Sequence, residues 1–187
     1  MTSGATKPKV IVLAGTAGTG KSTIAAKLRE IFRTKYPDVD FLEGDTVHPP
    51  ENIAKMSHAI PLTDDDRWDW LKKVSELSSQ SAQKHSGLWI VTCSSLKKKY
   101  RDLIRSHSPE TDFYFLFLFA DRLLILDRIT KREGHFMKAN MINSQFSDLM
   151  LPDAAETLAS TVDVDGKSVE QVVQECQADL KKFVAGN

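Results

Sequence analysis

The stretch Gly15-Thr16-Ala17-Gly18-Thr19-Gly20-Lys21-Ser22 constrains this chain more than any other. The apolar run Val10-Ile11-Val12-Leu13-Ala14 leads into it, and a helix-like segment leaves it. Glycines at this spacing let the backbone turn tightly with its N–H groups facing inward. Together with the following helix N-terminus they make an anion site. In such a loop Lys21 reaches the terminal phosphates and the Ser22 hydroxyl can ligate Mg²⁺. A plain glycine-rich turn before an ordinary helix is the alternative, and the full eight-residue pattern in a strand–loop–helix setting disfavours it. The loop therefore implies binding of a nucleoside triphosphate. What is done with the phosphate must be read from the rest of the chain.

A chain of 187 residues suits one domain and can bury a core without disulfides. Twenty-five basic and 25 acidic residues cancel, and no tail concentrates positive charge, which argues against bulk nucleic-acid binding. Cys93 and Cys176 have neither metal-ligand spacing nor a disulfide framework, so both are expected as free thiols in a reducing compartment. Met1 to Lys9 lacks an apolar signal core, and the apolar run Phe113 to Ala120 is too short to span a bilayer. A soluble, cytoplasmic protein with no membrane partner is the expectation.

Taken in order, Val10–Ala14 reads as a strand buried on both faces. A helix from Gly20 to about Lys35 follows, stopped by Pro37. Phe41–Glu43 is a short second strand ending at Gly44-Asp45, and Glu51–His58 a short helix. Thr63 and Asp66 form a capping box for a helix carrying Leu71, Val74 and Leu77, with Gly87 placed for its end. Leu88–Cys93 is the third strand and about Leu96–Ser106 a basic helix. Phe113–Phe119 is the fourth strand, and Asp121 caps a helix running to about Arg132, where Gly134 would end it. His135–Lys138 reads as a connector before a helix near Met141–Met150; Thr161–Val164 is the last strand, and Ser168 caps a final helix. Strands alternating with helices predict an α/β fold with a parallel sheet and helices on both faces. Right-handed crossovers then bring the phosphate loop, Asp45 and the Cys93–Ser94 end to one edge of the sheet.

Asp45 is the first candidate beyond the loop. A turn aspartate is ordinary. One just past a strand end, aimed at a phosphate site, suits a general base or a metal-associated carboxylate. The third strand ends Val91-Thr92-Cys93-Ser94, without the aspartate that many phosphate-loop proteins place there for Mg²⁺. That absence shifts metal and base duties toward Ser22 and Asp45. No Asn-Lys-x-Asp pattern specifies guanine. Arg67, and Lys97 with Arg101 four residues on, stand between solvated charge and a fork for a carboxylate or phosphate. Arg128 and Arg132, also four apart and just before Gly134-His135-Phe136, resemble a lid that brings cations over a transferring phosphate and expels water. Ordinary charge at a helix C-terminus is the bland alternative. His135 could donate to substrate or merely cap, and a lone helical Gln145 is most often solvated.

Several stretches together resemble the gluconate kinase (gluconokinase) family of small phosphate-loop sugar-acid kinases. They are Gly15 to Thr23, Glu43-Gly44-Asp45 with His48-Pro49, Asn52 to Ser57, Pro61 to Trp68, Cys93 to Asp102, Arg132 to Met137 and Ser144-Gln145-Phe146. The resemblance spans Val10 to about Asp165. It implies transfer of the ATP γ-phosphoryl to the 6-hydroxyl of D-gluconate with Mg²⁺, giving 6-phospho-D-gluconate and ADP and feeding the pentose phosphate pathway. It implies a nucleoside-monophosphate-kinase-like three-layer α/β/α domain over 1–187, with a substrate-binding segment at about 46–86 and a mobile lid at about 128–146. It further implies that Gly15 to Thr23, Arg128 and Arg132 bind ATP, that Lys21, Asp45 and Arg132 act in catalysis, and that Ser22 and Asp45 hold the metal. Asp45, His48, Arg67, Arg101, His135 and Gln145 would line the gluconate pocket. A homodimer is consistent with the resemblance. Glu43 stands where aspartate is expected in many members.

Two other readings compete. Another small-molecule kinase of this fold, acting on shikimate or a nucleotide, is the nearer. A shikimate kinase is expected to carry a glycine cluster where this chain has Cys93-Ser94-Ser95-Leu96. A non-catalytic ATP-binding switch is the other.

Overall fold

In the computed structural model, which describes residues 6–131 and 135–186 (the backbone alone for 135–138), five parallel strands form one sheet in the order β2-β3-β1-β4-β5. The strands are β1 (Lys9–Ala14), β2 (Phe41–Glu43), β3 (Leu88–Thr92), β4 (Asp112–Phe119) and β5 (Ala159–Asp163). The helices are α1 (Lys21–Phe32), α2 (Pro50–Ser57), α3 (Asp64–Lys84), α4 (Lys98–His107), α5 (Arg122–Thr130), α6 (His135–Asp148) and α7 (Val169–Ala185).

Strand β1 lies between β3 and β4 and shows why both faces need cover. Ile11 and Leu13 pack toward Ile24, Leu28, Ile125, Val172 and Leu180, while Val10, Val12 and Ala14 pack toward Trp70, Leu71, Val74, Tyr100 and Ile104. All five apolar residues of β1 are fully buried. An apolar run without alternation is what a strand covered on both faces requires. The result is the expected three-layer α/β/α sandwich.

Local chemistry sets most element ends. The capping boxes at Thr63/Asp66 and Ser168/Gln171 are both formed, and Asp121 accepts from Leu123 N. Several boundaries depart from expectation. Helix α1 ends at Phe32, three residues before the predicted stop, in a turn in which Lys35 N and Tyr36 N both donate to Phe32 O. Helix α4 starts at Lys98 because Ser95 turns through a positive φ of 46° just before it. The last strand, β5, begins two residues early, at Ala159. His135–Lys138, expected as a connector, is the start of α6. Gly134, expected to end the preceding helix, lies outside the described residues.

Because β3 and β4 both flank β1, the chain must cross over it, and a crevice opens at the carboxyl ends of the strands. Two glycines make that end compact. A Cβ on Gly15 would lie 2.4 Å from Leu118 O, and one on Gly44 would lie 2.2 Å from Thr92 O. Gly44 therefore lets the end of β2 press against the end of β3. The loop after β3 is tied to the phosphate loop through Gly15 N donating to Ser94 O at 3.1 Å.

Candidate active site

A cleft of about 690 Å³ opens at this edge, within the usual range for a small-ligand site. Its first wall is the loop Gly15–Gly20 and the start of α1. The first turn of α1 carries no acidic residue, so its positive end is left for an anion. Lys21 Nζ donates to Gly15 O (3.1 Å) and Thr16 O (2.7 Å), holding the ammonium under the loop. Burial pushes its pKa down, and Asp45 is foremost among the groups pulling it back. Ser22 and Thr23 line the cleft, and Arg128 Nη1 donates to Gly18 O at 3.2 Å from α5.

The second wall comes from β2 through α3. After β2 a 3₁₀ turn, Gly44–Val47, presents Asp45, whose side chain is 85% exposed in the open cleft. His48 stacks on Trp70 with ring centroids 4.0 Å apart, and Trp70 Nε1 donates to Gly44 O at 2.9 Å. The tautomer of His48 follows from its neighbours. The Asn52 amide nitrogen donates to Asp66 O (2.7 Å), which fixes the amide's orientation, and it lies 3.1 Å from His48 Nδ1. Nδ1 is then the acceptor, and the ring proton sits on Nε2, 3.9 Å from Asp45 Oδ1. Burial lowers the His48 pKa, Asp45 raises it and Arg67 lowers it, so the ring is neutral near pH 7.

The two candidate arginines part company. Arg67 lines the cleft; its Nη1 donates to Tyr100 Oη (2.7 Å) and Asp148 Oδ2 (3.1 Å). Arg101, expected in the substrate pocket, is not there. Its side chain is 1% exposed and forks onto Glu156 at 2.6 and 2.8 Å, while Nη1 donates to Ser95 O and Leu96 O. Every guanidinium nitrogen is spent on the protein, so Arg101 is a strut under the β3–α4 loop. Lys97, four residues earlier, instead reaches Asp64 (3.0 Å) and Asp148 (3.4 Å).

Gln145 reaches the first wall: its Oε1 accepts from Ala17 N at 2.8 Å. His135 opens α6, but its side chain lies outside the described residues, as does Arg132 altogether.

Residue-by-residue reading missed Glu43. Its carboxylate lines the cleft and accepts from Thr92 Oγ1 at 2.6 Å, across the β2–β3 register pair Glu43↔Thr92. An acidic group thus stands at the end of β3 although β3 itself supplies none. The signal was the acidic residue before Gly44, visible in sequence only as a departure from a family pattern. Trp70 and Asn52 were missed because their roles exist only through His48.

The residues fit a hydrated Mg²⁺. Among the described residues no group of three His, Cys, Asp or Glu could cage a metal unaided. The oxygens of Ser22, Asp45 and Glu43 line the cleft beside the anion-binding loop, and Mg²⁺ characteristically combines one or two carboxylates with phosphate oxygens and water.

A phosphate loop on a parallel sheet, with a carboxylate, a histidine and an arginine lining the same cleft, is an arrangement suited to phosphoryl transfer onto a small molecule, the chemistry of the phosphate-loop kinases. The family model described as adenylylsulphate kinase matches residues 7–143. A Saccharomyces cerevisiae protein named probable gluconokinase is 56% identical over 95% of this chain and 93% of its own. The Escherichia coli thermosensitive gluconokinase is 38% identical over 89% and 84%, respectively. The crystal structure of a gluconokinase from Sinorhizobium meliloti superposes with a TM-score of 0.78 at 37% identity, covering 97% of this chain and 96% of that one. The chain belongs to the gluconokinase family.

Proposed function

We propose that the protein transfers the γ-phosphoryl of ATP to the 6-hydroxyl of D-gluconate, giving 6-phospho-D-gluconate and ADP. The observation that carries this reading is the meeting, in one cleft, of Gly15–Ser22 with Asp45, His48 and Arg67. The gluconokinase names of its relatives support it.

In this reading the loop N–H groups and Lys21 hold the donor phosphates still, and Arg128, with Arg132 from the segment proposed as the lid at 128–146, adds positive charge. The 46–86 segment binds the acceptor. Gluconate is a small hydroxylated anion. Arg67 takes its carboxylate with the guanidinium nitrogens that Tyr100 and Asp148 leave open, and His48 Nε2–H donates to a hydroxyl oxygen. Asp45 orients the 6-hydroxyl and accepts its proton as the new O–P bond forms and the bond from phosphorus to the bridging oxygen of ADP breaks. Ser22, Asp45 and Glu43 would hold Mg²⁺ together with the phosphates, and the ion would supply neutralisation of phosphate charge. The reaction takes place in the cytoplasm, where ATP is supplied.

A coupled ADP-release assay with Mg·ATP tests the proposal across gluconate, other aldonates, shikimate, adenylylsulphate and nucleoside monophosphates. Gluconate is expected to be turned over best. No turnover at millimolar gluconate, or a clear preference for adenylylsulphate, overturns the reading.

A further inference from the structure

The last turn of α6 touches both walls of the cleft. Gln145 Oε1 accepts from Ala17 N at 2.8 Å on the donor side. Three residues on, Asp148 accepts from Arg67 Nη1 at 3.1 Å on the acceptor side and faces Lys97 at 3.4 Å. Residues three apart share one face of a helix, so a single turn carries both contacts. Just beyond, Met150 N donates to Leu96 O at 2.8 Å and anchors the segment to the β3–α4 loop. The orientation of the Gln145 amide is settled chemically: a backbone N–H needs an oxygen acceptor, so Nε2 is turned away from Ala17.

We propose that Gln145 and Asp148 form a brace that couples the phosphate loop to Arg67. Gln145 is a positioning residue acting through Ala17, and Asp148 one acting through the Arg67 guanidinium. The brace sets the separation of the two walls, hence the approach of an acceptor hydroxyl to the γ-phosphoryl. A misplacement of about 1 Å can cost about 10²-fold in rate, and water then competes as acceptor, because proximity carries much of the rate in phosphoryl transfer. The inference rests on the phosphotransfer reading above, and it goes beyond it by assigning the coupling of the two half-sites to one helix turn.

The test uses the full chain with Gln145→Met, Asp148→Asn and the double variant, and Ser147→Ala as a control. Ser147 Oγ donates only along its own helix, to Asn143 O, among the described residues. Methionine keeps the length of glutamine and removes the acceptor oxygen. Gln145→Met is expected to lower gluconate-dependent kcat about three- to tenfold, the range of one net hydrogen bond. It should raise the share of ATP hydrolysed without transfer to gluconate and leave the Kd of a non-hydrolysable ATP analogue within about threefold. The double variant should lose little more than the worse single one, since both act through one device. Hydrogen exchange at residues 15–20 of the ligand-free protein, which requires no acceptor, should quicken in Gln145→Met and stay unchanged in Ser147→Ala. Unchanged exchange and an unchanged transfer-to-hydrolysis ratio in Gln145→Met, or fully additive losses in the double variant, overturn the brace. Failure of the wild type to use gluconate overturns only the substrate assignment, because the exchange result stands apart from it.

Discussion

On the donor side of the cleft, recognition is built from backbone. The loop from Gly15 to Gly20 and the start of α1 form one wall of the cleft, and the one long side chain of that stretch up to Ser22, Lys21, is held by the loop's own carbonyls at Gly15 and Thr16. On the acceptor side, recognition is built from side chains, each held by another. Trp70 carries His48, Asn52 sets its tautomer, and Asp66 O fixes Asn52. Tyr100 and Asp148 hold Arg67. A backbone cradle suits a group that every nucleoside triphosphate shares. A propped set of side chains suits one particular acceptor, because a mismatch leaves buried polar groups unpaired.

Asp45 stands where the two walls meet, so its removal should produce the largest effect. Asp45→Asn should lower kcat about 10²–10⁴-fold, the usual contribution of a positioned acid–base group. The Kd of a non-hydrolysable ATP analogue, measured by calorimetry, should hardly move. An unchanged kcat would remove Asp45 from proton transfer and leave the walls without a chemical junction.

The two arginines make the same contrast at smaller scale. Glu156→Ala leaves Arg101 charged and unpaired inside the protein, with both side chains at most 4% exposed in the parent. Urea unfolding should show a loss of about 3–5 kcal/mol, while folded enzyme keeps its gluconate KM. Arg67→Ala should weigh on function instead, raising gluconate KM about ten- to a hundredfold, the worth of one charged hydrogen bond, with a smaller loss of stability than Glu156→Ala because the Asp148 side chain it leaves behind is 21% exposed. If Glu156→Ala raised KM and Arg67→Ala did not, the assignment of the two arginines would be inverted.

That pair also shows how far sequence reaches. The donor wall was legible because its function lies in consecutive residues whose spacing is itself the mechanism. The parallel sheet, the Thr63/Asp66 capping box and the Ser168 cap were legible because burial on two faces and side-chain caps write local patterns; the Gln171 half of the second box was not read. Arg67 and Arg101 were not separable, because each lies on a helix beside other charges. What decides between them is Glu156, 55 residues beyond Arg101. Glu43 escaped for a similar reason: its partner Thr92 is 49 residues away and is brought close by strand pairing.

A milder probe of the acceptor wall is pH. The His48 pKa is lowered below its ordinary 6.5, chiefly by burial, with Asp45 opposing and Arg67 reinforcing the shift. Above that value the ring is neutral in folded and unfolded chains alike. As pH falls through it, the unfolded chain takes up the proton first and the fold loses stability. When the folded ring follows, Nδ1 can no longer accept from Asn52. Gluconate KM should therefore be flat above pH 6.5 and rise below it, approaching at the limit about tenfold per unit, while ATP-analogue affinity lacks that limb. His48→Gln should remove it; an unaltered profile would assign the ionisation elsewhere.

The smallest effect tests whether the acceptor wall depends on its scaffold in a way that the donor wall does not. Thr63 Oγ1 accepts from Asp66 N, and Asp66 Oδ2 accepts from Thr63 N. The same carboxylate binds Lys55 Nζ at 2.8 Å, and these bonds, Lys55 first, hold its pKa down at about 2. Thr63→Ala removes one half of this box and should cost about 1 kcal/mol in urea unfolding, as loss of an N-cap does. The residue freed is the one whose carbonyl fixes Asn52, and Asn52 fixes the tautomer of His48. A loosened cap should therefore appear as a modest rise in gluconate KM with ATP-analogue affinity unchanged. Equal losses in both affinities would mean that the cap stabilises the whole domain and that the two walls are less separable than their construction suggests.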